Sequence, residues 1–270
     1  SALDMSEVGI KAYQDFLKDL YRGDLAALNR EWGSKYTDWK QIEPLDNKEE
    51  KSKKAKNYPR WIDRAHFGEV NFCRTILSEL QKQAEKHDPG AKVGFEASGG
   101  FGMDFDGVLD TAGFWCPYNN ISLEMIRSNR PPGFIYSYWV GYRKDPDILI
   151  RNMWRSVVNG APSIWYWMCS GRGRFHGWLS DNAKLYPEGE AFVKDAVLPL
   201  RQGLGDLLMN LDMPHDGIAM YYSLPNALAG KCERSAFNHA EGAAISFNRL
   251  IEDSGFQWLY TTKKRLLSGE

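Results

Sequence analysis

The sequence predicts an α/β protein with parallel strands, and three observations lead to this prediction. Four short apolar stretches lie between residues 92 and 168, and a helical pattern follows each of them. Such an alternation is the order of βαβ units, whose strands run parallel. Glycine or polar residues follow each predicted strand, which is where a barrel of parallel strands binds its ligand. A second alternation begins after residue 215 and indicates a further α/β unit.

The first ninety residues contain two predicted helices. Apolar residues recur at helical spacing over 6–31 and again over 59–87. The second helix ends at the sequence His-Asp-Pro-Gly of residues 87–90, because proline and glycine stop a helix. The charged run 47–56 between the two helices carries both signs, which is typical of a solvated loop or helix face.

The elements of the remaining chain follow from the change in period. The predicted strands span 92–97, 113–118, 134–142 and 163–168, and the helices after them span 104–112, 122–128, 145–159 and 187–210. After the segment 211–215 come a strand at 217–222, a helix at 240–254 and a strand at 257–260. The sequence therefore predicts two domains, 1–211 and 212–270.

The number of strands leaves the architecture open. Four parallel strands are too few for a closed barrel, which needs eight βα units and typically about 250 residues. An open half-barrel would expose apolar strand faces and two unpaired edges. Two interpretations follow from the pattern: a complete open sheet with helices on both faces, or a barrel whose other strands lie upstream.

Composition excludes some classes of partner. The formal net charge is -1 and the pI about 6.5, so no basic field attracts nucleic acid or an anionic membrane. No apolar run approaches the roughly 20 residues of a membrane helix. The sequence begins at Ser1 with neither an initiator methionine nor a signal peptide. Its localisation stays open between extracellular, periplasmic and cytoplasmic.

Motifs for a metal or a cofactor are not found, and we predict neither. The four cysteines lack the CxxC spacing of a zinc site, and Asp104, Asp106 and Asp110 are too short a pattern for a calcium loop. The glycines after Ser98 lack the full dinucleotide fingerprint. The unusual quantity is the aromatic content, since 10 Trp, 13 Tyr and 13 Phe make 13% of the chain. Such residues can stack on sugar rings or fill a core.

Residues 16–44 contain Leu-Asn-Arg-Glu-Trp-Gly and then Trp-Lys-Gln-Ile-Glu-Pro. This pattern resembles the stretch after the fourth barrel strand in the β-galactosidases of glycoside hydrolase family 42 and their relatives. Residues 154–177 are similar to its last barrel helix and eighth strand, and residues 216–229 resemble the first strand of its Rossmann-like trimerisation domain. The segments occur in the family's order and span nearly the whole chain.

This resemblance implies that the chain is a divergent slice of a clan A (β/α)8 TIM barrel. The four predicted strands would be strands five to eight, and residues 212–270 would begin the Rossmann-like α/β domain. The family's general acid/base lies at the end of strand four, upstream of residue 1, so the N-terminal barrel half would come from the same or a companion chain. The resemblance also implies an oligosaccharide substrate, a homotrimer and a retaining mechanism with two carboxyl groups.

The family's nucleophile is a glutamate at the end of strand seven, and here the sequence departs from the family. Residues 134–142 contain no carboxylate, and the next one is Asp145. Two other carboxylates are therefore candidates for catalysis. Glu96 lies between an apolar strand and glycines, where an unpaired charge is costly, and Glu124 follows strand six. A structural ion pair for Glu96 and a helix N-terminal role for Glu124 are the alternatives.

Candidates for substrate binding lie at the ends of strands six to eight. They are Tyr118, Asn119, Trp139, Trp165, Trp167, Arg174 and His176. Trp165 and Trp167 face the same side of their strand, and we expect one in the core and one in the site. The arginine and histidine lie in the loop after strand eight, where they could donate hydrogen bonds to sugar hydroxyls. Tyr118 ends strand six, at a position where members of the clan often have a tyrosine beside the nucleophile.

Two functions are compatible with these residues. The first is a glycoside hydrolase that cleaves a β-linked oligosaccharide, with Glu96 or Glu124 supplying a carboxylate. The second is a carbohydrate-binding protein without activity on the same fold, which the missing carboxylate of strand seven suggests. An open α/β domain for another small ligand is a third interpretation, if the four strands form a complete sheet.

Overall fold

The structure is a computed structural model that describes nine stretches of the chain. These are residues 4–45, 58–96, 100–118, 120–140, 145–168, 177–180, 182–212, 214–233 and 239–269. The chain divides into two compact units. A helical unit comprises Ser1–Leu80, Phe101–Thr111 and Ser223–Leu250, and a sheet unit comprises Gln81–Gly100, Ala112–Tyr222 and Ile251–Glu270. Because both units include segments from either side of residue 211, they do not coincide with the two domains, whose boundary stays a prediction.

The N-terminal segment forms two helices where the sequence predicts one. Helix α1 spans Glu7–Leu20 and helix α2 spans Leu25–Trp32. The chain turns between them because Arg22 and Gly23 adopt positive φ angles of 53° and 77°, which end a right-handed helix. The side chain of Asp24 then accepts a hydrogen bond from the amide of Ala27 and caps α2.

The helical unit is built around a cluster of apolar side chains. Its buried members are Tyr13, Leu17, Leu28, Trp32, Ile42 and Phe67. One carboxylate lies beside this cluster: Oδ2 of Asp63 accepts hydrogen bonds from the Tyr21 hydroxyl at 2.7 Å and from Nε1 of Trp32 at 2.8 Å. Burial raises the pKa of Asp63, and the two hydrogen bonds oppose that shift. Polar and apolar contacts together fix α1 and α2.

The long helix predicted over 59–87 is confirmed. It begins as α3, Tyr58–Asn71, passes through a wider π-helical segment at Phe72–Leu77, and ends as α4, Ser78–Glu85. Three further helices are α5, Phe105–Thr111, α10, Leu224–Glu233, and α11, His239–Asp253. The sequence patterns predict α5 and α11 but not α10. In the helical unit, the Tyr58 hydroxyl donates to the carbonyl of Ala229 on α10 at 3.1 Å.

All four predicted strands between residues 92 and 168 are present and parallel. They are β1, Gly94–Glu96, β2, Phe114–Cys116, β3 and β4, Ile135–Tyr136 and Tyr138–Val140, and β5, Ile164–Tyr166. β3 and β4 are two parts of one predicted strand. At the break, the amide of Ser137 donates to Trp115, whereas the amide of Tyr138 donates to Ser163. The order across the sheet is therefore β1, β2, β3 with β4, and β5.

The two faces of this sheet differ because side chains alternate along each strand. Trp115 and Tyr136, in register on β2 and β3, are 0% and 1% exposed. The opposite face carries Phe114, Trp139 and Trp165, whose rings contact one another. We call it the aromatic face. It is the more open one, since Trp165 is 42% exposed.

Helices flank the strands of the sheet unit. α6 spans Asn120–Asn129 and α7 spans Pro146–Val158, with Asp145 capping α7 at its N-terminus. The predicted helix 187–210 begins as α8, Pro187–Phe192, and ends as α9, Gly205–Met209, with a break at Gln202 and Gly203. A core cluster joins α7 to this segment; its buried members are Leu149, Met153, Val157, Trp178, Phe192 and Ala196.

The last strands form a separate parallel pair. β6 spans Ile218–Tyr222 and β7 spans Trp258–Thr262, followed by helix α12, Lys263–Ser268. α6 packs against β7, where the amide of Tyr260 donates to the Ser128 hydroxyl at 2.9 Å. The α/β class is thus confirmed, whereas the closed barrel and the Rossmann-like domain stay predictions. Among the described helices, none has the length and apolar character needed to cross a membrane.

Candidate functional site

Four aromatic side chains meet at the carboxyl ends of β2, β4 and β5. The ring of Trp139 lies 6.0 Å from Trp165, 6.0 Å from Trp167 and 5.8 Å from Tyr118, measured between ring centroids. Trp165, Trp167 and Tyr118 are 42%, 39% and 37% exposed. The three exposed rings therefore form a surface on which the apolar face of a sugar could stack.

Register and alternation explain this arrangement. Trp139 on β4 is paired in register with Trp165 on β5, and Trp167 is two residues further on the same side. Both Trp165 and Trp167 are exposed, and the split expected between them, one in the core and one in the site, stays a prediction. Phe114, which the sequence analysis does not single out, extends the aromatic face, with its ring centroid 6.0 Å from that of Trp165.

Trp139 also has a hydrogen-bond donor to offer. Its indole Nε1 is buried and has no hydrogen-bond partner among the residues that the structure describes. Buried indole N–H groups usually find a partner, since leaving one unpaired costs free energy. This unpaired donor lies at the centre of the aromatic cluster.

Glu96 lies at the edge of the same face. It is the last residue of β1, it is exposed, and it is paired in register with Cys116 on β2. Because β1 and β2 are parallel neighbours, Glu96 and Cys116 point to the same side, which is the side of Phe114 and Trp139. Glu96 thus lies on the side of the sheet that carries the aromatic residues, and its catalytic role stays a prediction.

Glu124 has a different environment, in a buried ion pair. It is 3% exposed and lies on α6, where its carboxylate accepts a hydrogen bond from Nε of Arg127 at 2.7 Å. The same guanidinium donates to the carbonyl of Trp258 on β7 at 2.7 Å. Burial raises the pKa of Glu124, and the charge of Arg127 opposes this shift. These contacts favour a structural role in holding α6 on β7, and the catalytic role of Glu124 stays a prediction.

Three other predicted site residues, Asn119, Arg174 and His176, lie outside the described residues. Within the described part of strand seven, Ile135–Val140, no carboxylate occurs. Searched over the described residues, the chain shows no group of three or more His, Cys, Asp and Glu side chains suited to a metal ion.

Comparison with solved structures identifies relatives of this fold. The chain is similar to a catalytic mutant of Gan42B, a GH42 β-galactosidase from G. stearothermophilus, with a TM-score of 0.70, 17% identity, and coverage of 96% of this chain and 44% of that one. It is similar to the β-galactosidase from Rahnella sp. R3, with a TM-score of 0.76, 15% identity, and coverage of 97% and 43%. An apo exo-carrageenase GH42 from Bacteroides ovatus gives a TM-score of 0.65 at 14% identity, with coverage of 95% and 40%.

These matches show a shared fold. The chain spans less than half the length of these solved relatives. No family model matches the chain, and no curated protein matches it. The shared fold therefore supports the resemblance found in the sequence but does not establish an activity.

Proposed function

We propose that this chain is the sugar-stacking half of a retaining, β-galactosidase-like glycoside hydrolase that cleaves a β-linked oligosaccharide. The observation that carries this proposal is the position of Glu96 and the exposed Trp165 and Trp167 on one face of parallel strands. In barrels of parallel strands, active sites lie at the carboxyl ends of the strands. The fold shared with GH42 β-galactosidases supports the same conclusion.

The proposed architecture is the second half of a (β/α)8 TIM barrel, with the strands of the sheet unit as strands five to eight and residues 212–270 as the start of a Rossmann-like domain. The parallel order of the four strands and the coverage of 43–44% of two relatives support it. On the aromatic face, Ile135 is 50% exposed, as expected for a residue that a complementary barrel half would cover. That half would belong to the same or a companion chain. The resemblance to the family also implies that the protein forms a homotrimer.

Each side chain of the site has a proposed role. Trp165 and Trp167 stack on the sugar ring, and Nε1 of Trp139 donates to a sugar hydroxyl. Tyr118, with Asn119, Arg174 and His176, adds further polar contacts. Glu96 supplies one carboxylate, and the general acid/base comes from the complementary half. A retaining reaction requires the two carboxyl groups about 5–5.5 Å apart.

Replacing Glu96 tests the catalytic part of the proposal. In a species that contains the complementary barrel half, we expect E96Q to abolish turnover of 4-nitrophenyl β-D-galactopyranoside while lactose binding, measured by calorimetry, is retained. The matched control is E188Q, which changes an exposed glutamate on α8 and should preserve both. Turnover by E96Q equal to that of the unchanged protein would contradict the catalytic role of Glu96.

A second candidate function is carbohydrate binding without catalysis. The absence of a carboxylate over Ile135–Val140, the described part of strand seven, specifically favours it. In that case the unchanged protein and every variant bind lactose without turnover. W165A and W167A weaken lactose binding, and E96Q has no turnover to lose. The ratio of turnover to binding in the unchanged protein therefore separates the two functions.

The complementary barrel half has its own test. Denaturing and native mass spectrometry of the purified sample should show a larger covalent chain or a second polypeptide. Activity assays are informative for such a species. A lone species of 30.8 kDa that is folded and stable would contradict the closed barrel, and with it catalysis by this chain.

A further inference from the structure

A pocket of about 350 Å³ lies in the sheet unit at the amino end of β5. Pro162 and Ser163, which precede the strand, line it together with Ile164 and Tyr166. Because side chains alternate along a strand, Ile164 and Tyr166 point to the face opposite Trp165. The pocket and the aromatic surface are therefore separate, since they lie at opposite ends and on opposite faces of β5.

The wall of this pocket is mostly apolar, because it is the open side of a core cluster. Met153 and Val157 on α7 are buried members of that cluster, and Val197 and Leu200 pack against it. The volume is at the small end of the range of ligand sites, about 300–1,000 Å³. The pocket thus fits the body of one small apolar molecule and offers few partners for the hydroxyl groups of a sugar.

The break between α8 and α9 shapes the mouth of the pocket. Arg201 lines the pocket before the break at Gln202 and Gly203, and Asp206 lines it after the break. Gly203 has a φ angle of 116°, which residues with a side chain rarely adopt. On a regular helix, residues five positions apart point in different directions. The break therefore allows an arginine and an aspartate to line the same pocket.

Arg201 and Asp206 carry opposite charges but are not paired with each other. Both are exposed, and neither side chain has a hydrogen bond or an ion pair with another of the described residues. A ligand that carries one charge of each sign can pair with both, whereas an anion would be repelled by Asp206 and a cation by Arg201. The apolar wall and the two charges together indicate a zwitterion with an apolar body.

We infer that this pocket binds an apolar α-amino acid, with its carboxylate on Arg201, its ammonium group on Asp206 and its side chain against the apolar wall. The inference is independent of the proposed function, because it uses none of the residues of the aromatic surface. It assigns a second ligand, of a different chemical class, to the other end of the sheet. An apolar monocarboxylate and an apolar amine are the competing occupants.

Fluorine NMR of 4-fluoro-L-phenylalanine tests the binding directly. We expect its resonance to shift and broaden when the unchanged protein is added. A161L places a larger side chain in the wall of the pocket, where Ala161 is 1% exposed. Filling a cavity is compatible with a stable fold, so A161L should abolish the shift while its urea unfolding stays cooperative. An unshifted resonance with the unchanged protein, or full binding by folded A161L, would overturn the inference.

Substitution of the two charges tests the class of ligand and needs no change in the core. We expect R201M and D206N each to weaken binding of the amino acid by about fivefold, the upper value for an exposed ion pair. 3-(4-fluorophenyl)propionate should lose affinity in R201M but not in D206N, and 2-(4-fluorophenyl)ethylamine should show the reverse. R151M and D195N are the matched controls, because both residues are exposed and lie outside the pocket.

The same measurements separate this inference from its competitors. Unchanged affinity for the amino acid in either R201M or D206N would overturn the zwitterion, as would an analogue that binds as tightly as the amino acid. Lactose should leave the fluorine resonance of the bound amino acid in place, and its displacement by lactose would contradict two separate sites. If lactose does not bind at all, the proposed function fails, and the amino-acid titration still decides the inference.

Discussion

Two buried polar pairs of the interior between packed helices and strands differ from one indole on the aromatic face. Nε1 of Trp32, in the helical unit, donates to Asp63 at 2.8 Å, and in the sheet unit Glu124 is paired with Arg127 at 2.7 Å. Nε1 of Trp139, on the aromatic face, is also buried but has no partner within the described parts of the chain. The indole N–H is thus satisfied at Trp32 and unsatisfied at Trp139, although the interior also holds an unpaired group, since the buried Tyr13 hydroxyl has no partner among the described residues.

This difference predicts which substitutions should lower the stability of the fold. Desolvating a polar group costs free energy, and a hydrogen bond or an ion pair within the protein recovers it. Trp32 and Glu124 recover that free energy internally, so their substitution should cost stability. Trp139 does not, so removal of its donor should be tolerated by the fold. Four measurements follow from the comparison.

The largest effect is expected at the buried ion pair. Arg127→Met leaves Glu124 buried without its cation and removes the donor to Trp258. Breaking a buried pair on one side costs about 3–5 kcal/mol, measured as the free energy of unfolding in urea. Arg30→Met is the control, because Arg30 and Asp24 form an exposed pair at 3.7 Å, of the kind worth about 1 kcal/mol or less. Equal losses in both variants would contradict a structural role for Glu124.

A smaller loss is expected when Asp63 is truncated. Asp63→Ala leaves the Tyr21 hydroxyl and the Trp32 indole without their acceptor. Each unpaired buried group costs about 1–3 kcal/mol, less where water can enter, and we expect a total near 3 kcal/mol. Asp19→Ala, at an exposed position on α1, should change stability by less than about 0.5 kcal/mol. An unchanged unfolding midpoint in Asp63→Ala would mean that α1 and α2 do not depend on this carboxylate.

The two tryptophans allow the most direct test of the comparison. Trp32→Phe removes a paired donor and should cost about 1–2 kcal/mol. Trp139→Phe removes an unpaired donor while keeping an aromatic ring, and we expect stability to change by less than about 0.5 kcal/mol, or to rise. Lactose affinity should respond in the opposite way, falling in Trp139→Phe and staying constant in Trp32→Phe. A stability loss in Trp139→Phe as large as that in Trp32→Phe would remove the distinction between the two regions.

Much of this fold follows from local sequence patterns. The four strands were predictable because short apolar runs between glycines and polar residues suit buried parallel strands. The shared side of Trp165 and Trp167 follows from alternation alone. The break after α1 also had a signal, since Gly23 and Asp24 are a helix stop followed by a helix cap. Helix α10 was missed because glycine and polar residues interrupt its apolar pattern.

The site was predictable only in part, because register is a property of strand pairing and not of one strand. Glu96 lies near the end of a predicted strand, but its position on the side of Phe114 and Trp139 depends on the pairing of β1 with β2. The partner of Glu124 was visible as Arg127 three residues later, a spacing that brings side chains together on a helix. The burial of that pair depends on β7, more than a hundred residues further along the chain.

The smallest expected effect is the pH dependence of stability, which is measured by comparing Asp63 with its neutral substitute, asparagine. Burial raises the pKa of Asp63 above its ordinary value of 3.8. The folded protein therefore binds a proton at Asp63 more tightly than the unfolded chain, so this group stabilises the fold at low pH. That contribution is lost as pH rises from about 4 through the raised pKa. Asp63→Asn cannot titrate, yet its amide oxygen can still accept from Tyr21 and Trp32.

The free energy of unfolding of the unchanged protein, relative to Asp63→Asn, should therefore decrease between pH 4 and neutrality and then become constant. Taking the difference between the two proteins removes the contributions of the other titrating groups, such as Glu69, whose pKa burial also raises. Urea unfolding at a series of pH values provides the measurement. A difference that increases with pH would mean that the hydrogen bonds from Tyr21 and Trp32 outweigh burial. Asp63 would then be stabilised in its charged form, and its two hydrogen bonds would more than offset the cost of burying that charge in the helical unit.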